Sequence, residues 1–282
     1  MIFLLLAVIG VIGLALASYF DIKTKEIPNI ISFTMIALGL GLRLIYSIVT
    51  KEIMFFVYGL IAFGIFFSIG GILYYTKQWG GGDTKILMAL GALYGAWSTK
   101  YFLISLILIL VAVASIYGLI WAVYLSIKHR KDFKAKFLEI YKKNKVQILF
   151  VFIVSIGLII SSFFLESFMA VVLWIVAALI LVYYHLLMYM HAVEKSCMEK
   201  TIPVSKLTEG DWILGTIKKG NKIIYSKHNP SVTKKQIELL KKHKISKVRT
   251  KDGFPFIPAF LIALILTFIF SSVVINFLIN LI

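Results

Sequence analysis

The sequence predicts an all-α polytopic membrane protein of about eight transmembrane helices, with a small cytoplasmic α+β insert before the last helix. Three observations predict it. Of the 282 residues, 60% are hydrophobic and only 15% charged, with a mean hydropathy of +0.94; a soluble chain carries about a quarter charged residues. A water-soluble globular enzyme is thereby excluded. Apolar stretches close to the roughly 20 residues that cover the hydrocarbon core recur eight times along the chain. The 30 Lys and Arg residues crowd into alternate loops, as they do on the cytoplasmic side of multi-pass proteins. The same rule accounts for the net charge of +17 without nucleic acid. The one cysteine, Cys197, rules out an intramolecular disulfide framework and a Cys-based zinc cluster.

The apolar stretches run over residues 2–20, 30–49, 53–75, 84–97, 101–127, 147–165, 168–192 and 256–281. The first ends near Ala15-Leu16-Ala17, which looks like a signal-peptidase site. No basic residue precedes it and Lys23 and Lys25 follow it, so it reads as an uncleaved helix with its N-terminus outside. The cytoplasmic loops are then 21–29, 76–83, 128–146 and 193–255, and with the adjacent Lys85 they hold 27 of the 30 basic residues. Lys51 and Lys100 fall outside, and both termini lie outside the cell membrane. Arg43 lies in the second span near its end, where its side chain is expected to snorkel to the headgroups. The fourth span is short. At 1.5 Å per residue it reaches only about 21 Å, so either the bilayer thins around it or it starts below the surface in a protein-lined cavity. Ala89, Gly91, Ala92 and Gly95 give it a face for close helix packing.

The organisation expected is a membrane core of five spans over 1–127, a basic linker over 128–146, two further spans over 147–192, an α+β insert over 193–255 and a last helix over 256–282. In the linker, Phe133, Phe137, Ile140 and Tyr141 recur at helical spacing among eight Lys and Arg. They describe either an amphipathic helix on an anionic leaflet or a solvated loop. In the insert, 212–217 and 222–226 are β-prone runs joined by a turn at 218–221. Thr233-Lys234-Lys235-Gln236 has the pattern of a capping box for a helix carrying Ile237 and Leu240. Residues 245–250 suit a third strand.

Common catalytic signatures are absent: the chain has no HExxH, no GxSxG and no phosphate-binding glycine loop followed by Lys and Ser or Thr. His185 and His191, six residues apart on one helix, point about 120° apart and cannot jointly grip one metal. No metal and no cofactor is expected. Acids are the informative residues because they are few. Outside the two large cytoplasmic pieces only Asp21, Glu26, Glu52, Asp83 and Glu166 remain. Asp21 ends the first span, and Asp83 closes Gly80-Gly81-Gly82-Asp83 before the fourth. Two spans separate them, so both lie at one membrane face. Two carboxylates brought close in a partly dry site share a proton, so that one activates water while the other donates a proton. Three glycines in front of Asp83 leave room for an extended substrate backbone. Asp83 also suits the N-cap of the fourth helix. Asp21 meets the unfavourable end of its own helix dipole, which capping does not explain. From a different class, a non-enzymatic transporter or assembly subunit would use the same acids to bind a cation or cap helices. A transporter more often carries acids at mid-membrane and two similar halves, and neither is visible here.

Residues 80–85, GGGDTK, resemble the GxGDxK pattern of the type IV prepilin peptidases. Asp21 followed by Ile27-Pro28-Asn29 looks like that family's first aspartate region. With no bacterial-type cysteine loop after the first span and a basic soluble piece before the last helix, the chain resembles the archaeal preflagellin and prepilin peptidases, GxGD intramembrane aspartic proteases, more closely than the bacterial members. The resemblance implies that Asp21 and Asp83 are the catalytic pair. It implies too that Gly80, Gly81 and Gly82 shape the loop facing the substrate, with Lys85 part of the motif. Its expected partners are prepilin-type or preflagellin-type precursors, cut at the cytoplasmic face after a short basic leader, and anionic membrane lipid, with no nucleic acid.

Overall fold

A computed structural model describes residues 1–95, 101–219, 222–229 and 231–280, apart from the side chains of 222 and 277–280. Lys100, the end of the fourth apolar stretch, the turn residues Gly220 and Asn221 and the end of the last stretch lie outside the described residues. The chain runs α1 (Ile2–Thr24), α2 (Asn29–Thr50), α3 (Ile53–Tyr75), α4 (Gly81–Tyr94), α5 (Phe102–Lys128), α6 (Arg130–Lys143), α7 (Lys145–Ser162) and α8 (Ser167–Val193). It continues through β1 (Glu199–Pro203), β2 (Trp212–Ile213), β3 (Ile217–Lys219), β4 (Lys222–Tyr225), α9 (Lys234–Lys242), β5 (Lys247–Lys251) and α10 (Ile257–Asn280). Among the described residues, α1, α2, α3, α5, α7, α8 and α10 are long and apolar enough to cross a membrane. The remaining apolar stretch, the fourth, is α4, only 14 residues long. The chain is a mostly helical, multi-pass membrane protein with a small sheet region before its last helix.

The chain divides into two compact units, one of residues 1–119 with 202–282 and one of 120–201. In the first, the short α4 is the central helix. Ile86, Ala89, Leu90, Ala92, Leu93 and Tyr94 are wholly buried, and α1, α2 and α3 surround it. Its length is no obstacle because its neighbours are protein. The small residues of α4 make that possible: a Cβ added at Gly91 would stand 2.6 Å from the Ala62 carbonyl oxygen, and one at Gly95 would stand 2.5 Å from that of Tyr58. The backbones of α3 and α4 therefore touch.

Arg43 corrects the sequence reading. It does not snorkel but is fully buried. Its Nη2 and Nε donate to the Leu93 carbonyl at 2.9 and 3.3 Å, and its Nη1 donates to the Phe55 carbonyl at 2.8 Å. The guanidinium also lies 4.4 Å from the Phe55 ring centroid. Leu93 is in the last turn of α4, where carbonyls lack helical partners and a cation complements the dipole. The pull of those carbonyls exceeds that of the headgroups.

The insert carries its own core of Val204, Leu207, Ile213, Ile224, Tyr225, Val232, Ile237, Leu240 and Val248. The stretch read as one strand over 212–217 is two. Gly215 at φ +84 breaks it, because that backbone conformation cannot continue a strand. Trp212 and Ile213 pair antiparallel with Lys251 and Thr250 of β5, in a sheet ordered β1-β5-β2. Residues of β3 pair with β4 in a separate hairpin. The capping box at α9 forms as expected: the Thr233 N–H donates to Gln236 Oε1 at 3.0 Å, and Thr233 Oγ1 accepts from the Gln236 N–H at 3.4 Å.

In the second unit the linker is a helix, α6. Its apolar residues Phe133, Phe137 and Ile140 pack with Ile148 of α7 and with Tyr184, Met188 and Ala192 of α8. Lys131, Lys134, Lys142 and Lys143 stay exposed. The amphipathic pattern is thus met by protein on the apolar side.

Candidate active site

Asp21 stands in the last turn of α1. The helix ends as Lys25 turns left-handed, φ 56°, and returns its N–H to the Asp21 carbonyl at 2.9 Å. The Asp21 side chain is buried, 6% exposed, and its Oδ2 accepts the backbone N–H of Ile257 at 2.8 Å. Ile257 is the first residue of α10, so a helix N-terminus faces the carboxylate and offsets the unfavourable end of α1's own dipole.

Asp83 is the third residue of α4, not its N-cap; that position is Gly80, whose backbone is extended. The Asp83 Oδ2 accepts the Gly80 N–H at 3.0 Å, half of a capping box. The cap expected from the sequence is therefore made from three residues further along. Thr84 Oγ1 adds a bond to the Gly80 carbonyl at 3.1 Å. Gly82 lies close against Ile27: a Cβ there would lie 2.8 Å from Cδ1 of that side chain. The turn between α1 and α2 thus docks on the glycine loop. Lys85 joins the same two pieces, with Nζ donating to Asn29 Oδ1 at 2.7 Å and lying 5.7 Å from the Phe33 ring centroid.

Other groups here carried no sequence signal. Trp79, immediately before the glycine loop, makes edge contacts with Phe256 at 5.5 Å and Phe260 at 5.4 Å. Tyr74 and Ser231 share a hydrogen bond of 3.0 Å, and Lys77 donates to the Lys227 carbonyl, so the insert holds the approach to the loop. Lys25 and Asp252 form an ion pair at 3.2 Å. Asp21 and Asp83 lie within Coulombic reach of each other, and Tyr117 of α5 lies within reach of Asp21. Among the described residues no group of three or more His, Cys, Asp and Glu is placed to hold a metal ion. The arrangement is two acids, each with Oδ2 held by a backbone N–H, beside a glycine loop.

Residues 8–123 match the model of the type IV leader peptidase family. This stretch, less than half of the chain, is similar to that family. It contains Asp21, Gly80 to Asp83 and Lys85, whereas the insert and α10 lie beyond it. The chain is similar to a preflagellin peptidase of Methanocaldococcus jannaschii, 31% identical over 86 residues, or 30% of this chain and 36% of the relative. It is similar also to a preflagellin peptidase of Methanococcus voltae, 39% identical over 90 residues, or 32% and 38%. A prepilin peptidase, EppA, of Methanothermobacter thermautotrophicus is 36% identical over 90 residues, or 32% and 23%. The similarity thus spans between 23% and 38% of the length of these curated relatives. No solved structure matches the chain. The matched region is most of α1, all of α2 to α4 and most of α5, the helices that carry both acids.

Proposed function

We propose that the chain is an intramembrane aspartic endopeptidase that removes a short basic leader from preflagellin-like or prepilin-like precursors at the cytoplasmic membrane face. The feature that supports this reading is that Asp21 and Asp83, from helices two spans apart, lie within Coulombic reach of each other, each with Oδ2 accepting a backbone N–H and Asp83 next to the glycines. The names of the relatives support the substrate class, and the charge of the loops supports the face. The exposed lysines of α6 and the insert suit an anionic leaflet on that side.

The chemistry needs one proton shared by the pair. The ionised carboxylate takes a proton from water as the water oxygen bonds to the scissile carbonyl carbon, and the protonated one gives its proton to the carbonyl oxygen. On collapse the protonated carboxyl gives its proton to the amide nitrogen as the C–N bond breaks, and a hydroxyl of the tetrahedral species gives its proton to the other carboxylate as the C=O re-forms, so the pair again holds one proton. No covalent intermediate forms.

The test is cleavage of a leader-bearing precursor by detergent-solubilised protein carrying Asp21→Asn, Asp83→Asn or both. Asn at position 83 still accepts the Gly80 N–H, so the helix stays capped, but it neither takes nor gives the proton. Each single change should lower the rate by about a hundredfold to ten-thousandfold, the usual weight of acid-base catalysis. The double change should cost no more than either alone. Near-normal cleavage by a well-folded Asp83→Asn protein ends this reading.

A further inference from the structure

The family match stops at residue 123, yet the segment that leads into α10 touches both motifs. Asp252 pairs with Lys25, the residue that ends α1 four positions after Asp21. The Phe254 ring lies 6.4 Å from that of Tyr117, the Phe256 ring meets Trp79 next to Gly80, and the Ile257 N–H is bonded to Asp21. The Phe256 N–H is directed at the same carboxylate. Pro255 and Ile257 are buried, and Ile257, Ala259, Phe260, Ala263 and Leu264 belong to the core that contains α4.

We propose that residues 252–257 form a positioning strap for the aspartate pair, in which the backbone N–H of Ile257 fixes the Asp21 carboxylate while Phe256 braces Trp79 and so the loop that carries Asp83. The inference rests on the peptidase reading above. A carboxylate with one oxygen bonded at 2.8 Å loses rotation about its last torsion, so the orientation of its second oxygen is set. Asp83 is held in the same way by the Gly80 N–H. The two anchors differ in origin. Gly80 is local to Asp83, whereas Ile257 is 236 residues from Asp21 in sequence. The exposed Lys25–Asp252 pair contributes little by itself, whereas a buried N–H donated to a charged acceptor is among the stronger bonds in a protein. The first N–H of a helix has no partner within the helix, and here the partner is the candidate catalytic oxygen. Ile257 is thus a positioning residue, acting through Asp21.

The test compares Ile257→Pro with Ile257→Ala. Both remove side-chain packing, but only proline removes the N–H, and the first helical position accepts proline. With a leader-bearing precursor in detergent, kcat of Ile257→Pro should fall about tenfold to a hundredfold below that of Ile257→Ala, the weight of a charged hydrogen bond, with KM equal in the two. Equal kcat values in two folded proteins overturn the strap. A second measurement does not depend on activity or on the folding of the proline variant. Asp21→Ala should raise deuterium uptake at residues 254–257, whose amide hydrogens belong only to Phe254, Phe256 and Ile257. Unchanged uptake overturns the proposal. Asp21→Asn run in parallel separates the two failures: normal cleavage by that variant refutes the peptidase reading, whereas loss of cleavage together with equal Pro and Ala kinetics refutes the strap alone.

Discussion

Replacing Arg43 sets two large effects against each other, and the contacts of its guanidinium decide between them. A buried cation is costly to desolvate, and exchange of a buried charge for an apolar side chain of similar volume is often neutral or stabilising. Among the described residues no acid pairs with Arg43; its acceptors are the carbonyls of Leu93 and Phe55. The two carbonyls are unequal. Phe55 lies early in α3, so its carbonyl keeps a helical partner and loses little when the guanidinium goes. Leu93 lies in the last turn of α4, and among the described residues the side chain that donates to its carbonyl is Arg43, through two bonds. An unmet buried acceptor costs about 1–3 kcal/mol, and loss of the contact with the Phe55 ring adds about 0.5–2 kcal/mol. Arg43→Met should therefore destabilise the protein by about 2–4 kcal/mol. Arg43→Lys, which reaches one carbonyl without the planar fork, should fall between it and the wild type. Thermal unfolding in one detergent, followed by circular dichroism, orders the three proteins. An Arg43→Met protein as stable as the wild type would show that desolvation of the guanidinium outweighs its bonds, and would refute the role of Arg43 as the clamp on the end of α4.

Gly91→Ala and Gly95→Ala should each cost at least about 1–3 kcal/mol, because the added methyl group meets backbone carbonyls at 2.6 and 2.5 Å. Gly118→Ala, where nothing lies within 4 Å, should be neutral in the same unfolding assay. Thr233→Ala should cost about 0.5–2 kcal/mol by removing the cap of α9. Faster hydrogen exchange at 234–237, with cleavage unchanged, is the expected result.

Much of this protein is determined by local pattern in the chain. Runs of apolar residues locate every long helix, because transfer of each side chain to hydrocarbon is a property of that side chain and adds along the segment. The capping box at Thr233 is legible for the same reason, since both partners lie within four residues. Parity of spans places Asp21 and Asp83 at one end of the bundle, and the glycines ahead of Asp83 mark an unusual loop. What the tertiary structure alone decided concerns groups that meet across long separations or through the backbone. The Ile257 N–H has no counterpart in residue identity, since every residue but proline carries one; only the placement of α10 against α1 turns it toward Asp21. Arg43 looks like any arginine near a helix end until α4 brings its terminal carbonyls within reach. The short α4 reads as a defective span, and becomes the core once α1, α2 and α3 replace lipid as its surroundings. The apolar stripe of α6 is plain in the sequence, but a stripe attracts any apolar surface alike, and only packing selects α8. Composition and periodicity report what each segment prefers to bury; which partner buries it is a property of the whole fold.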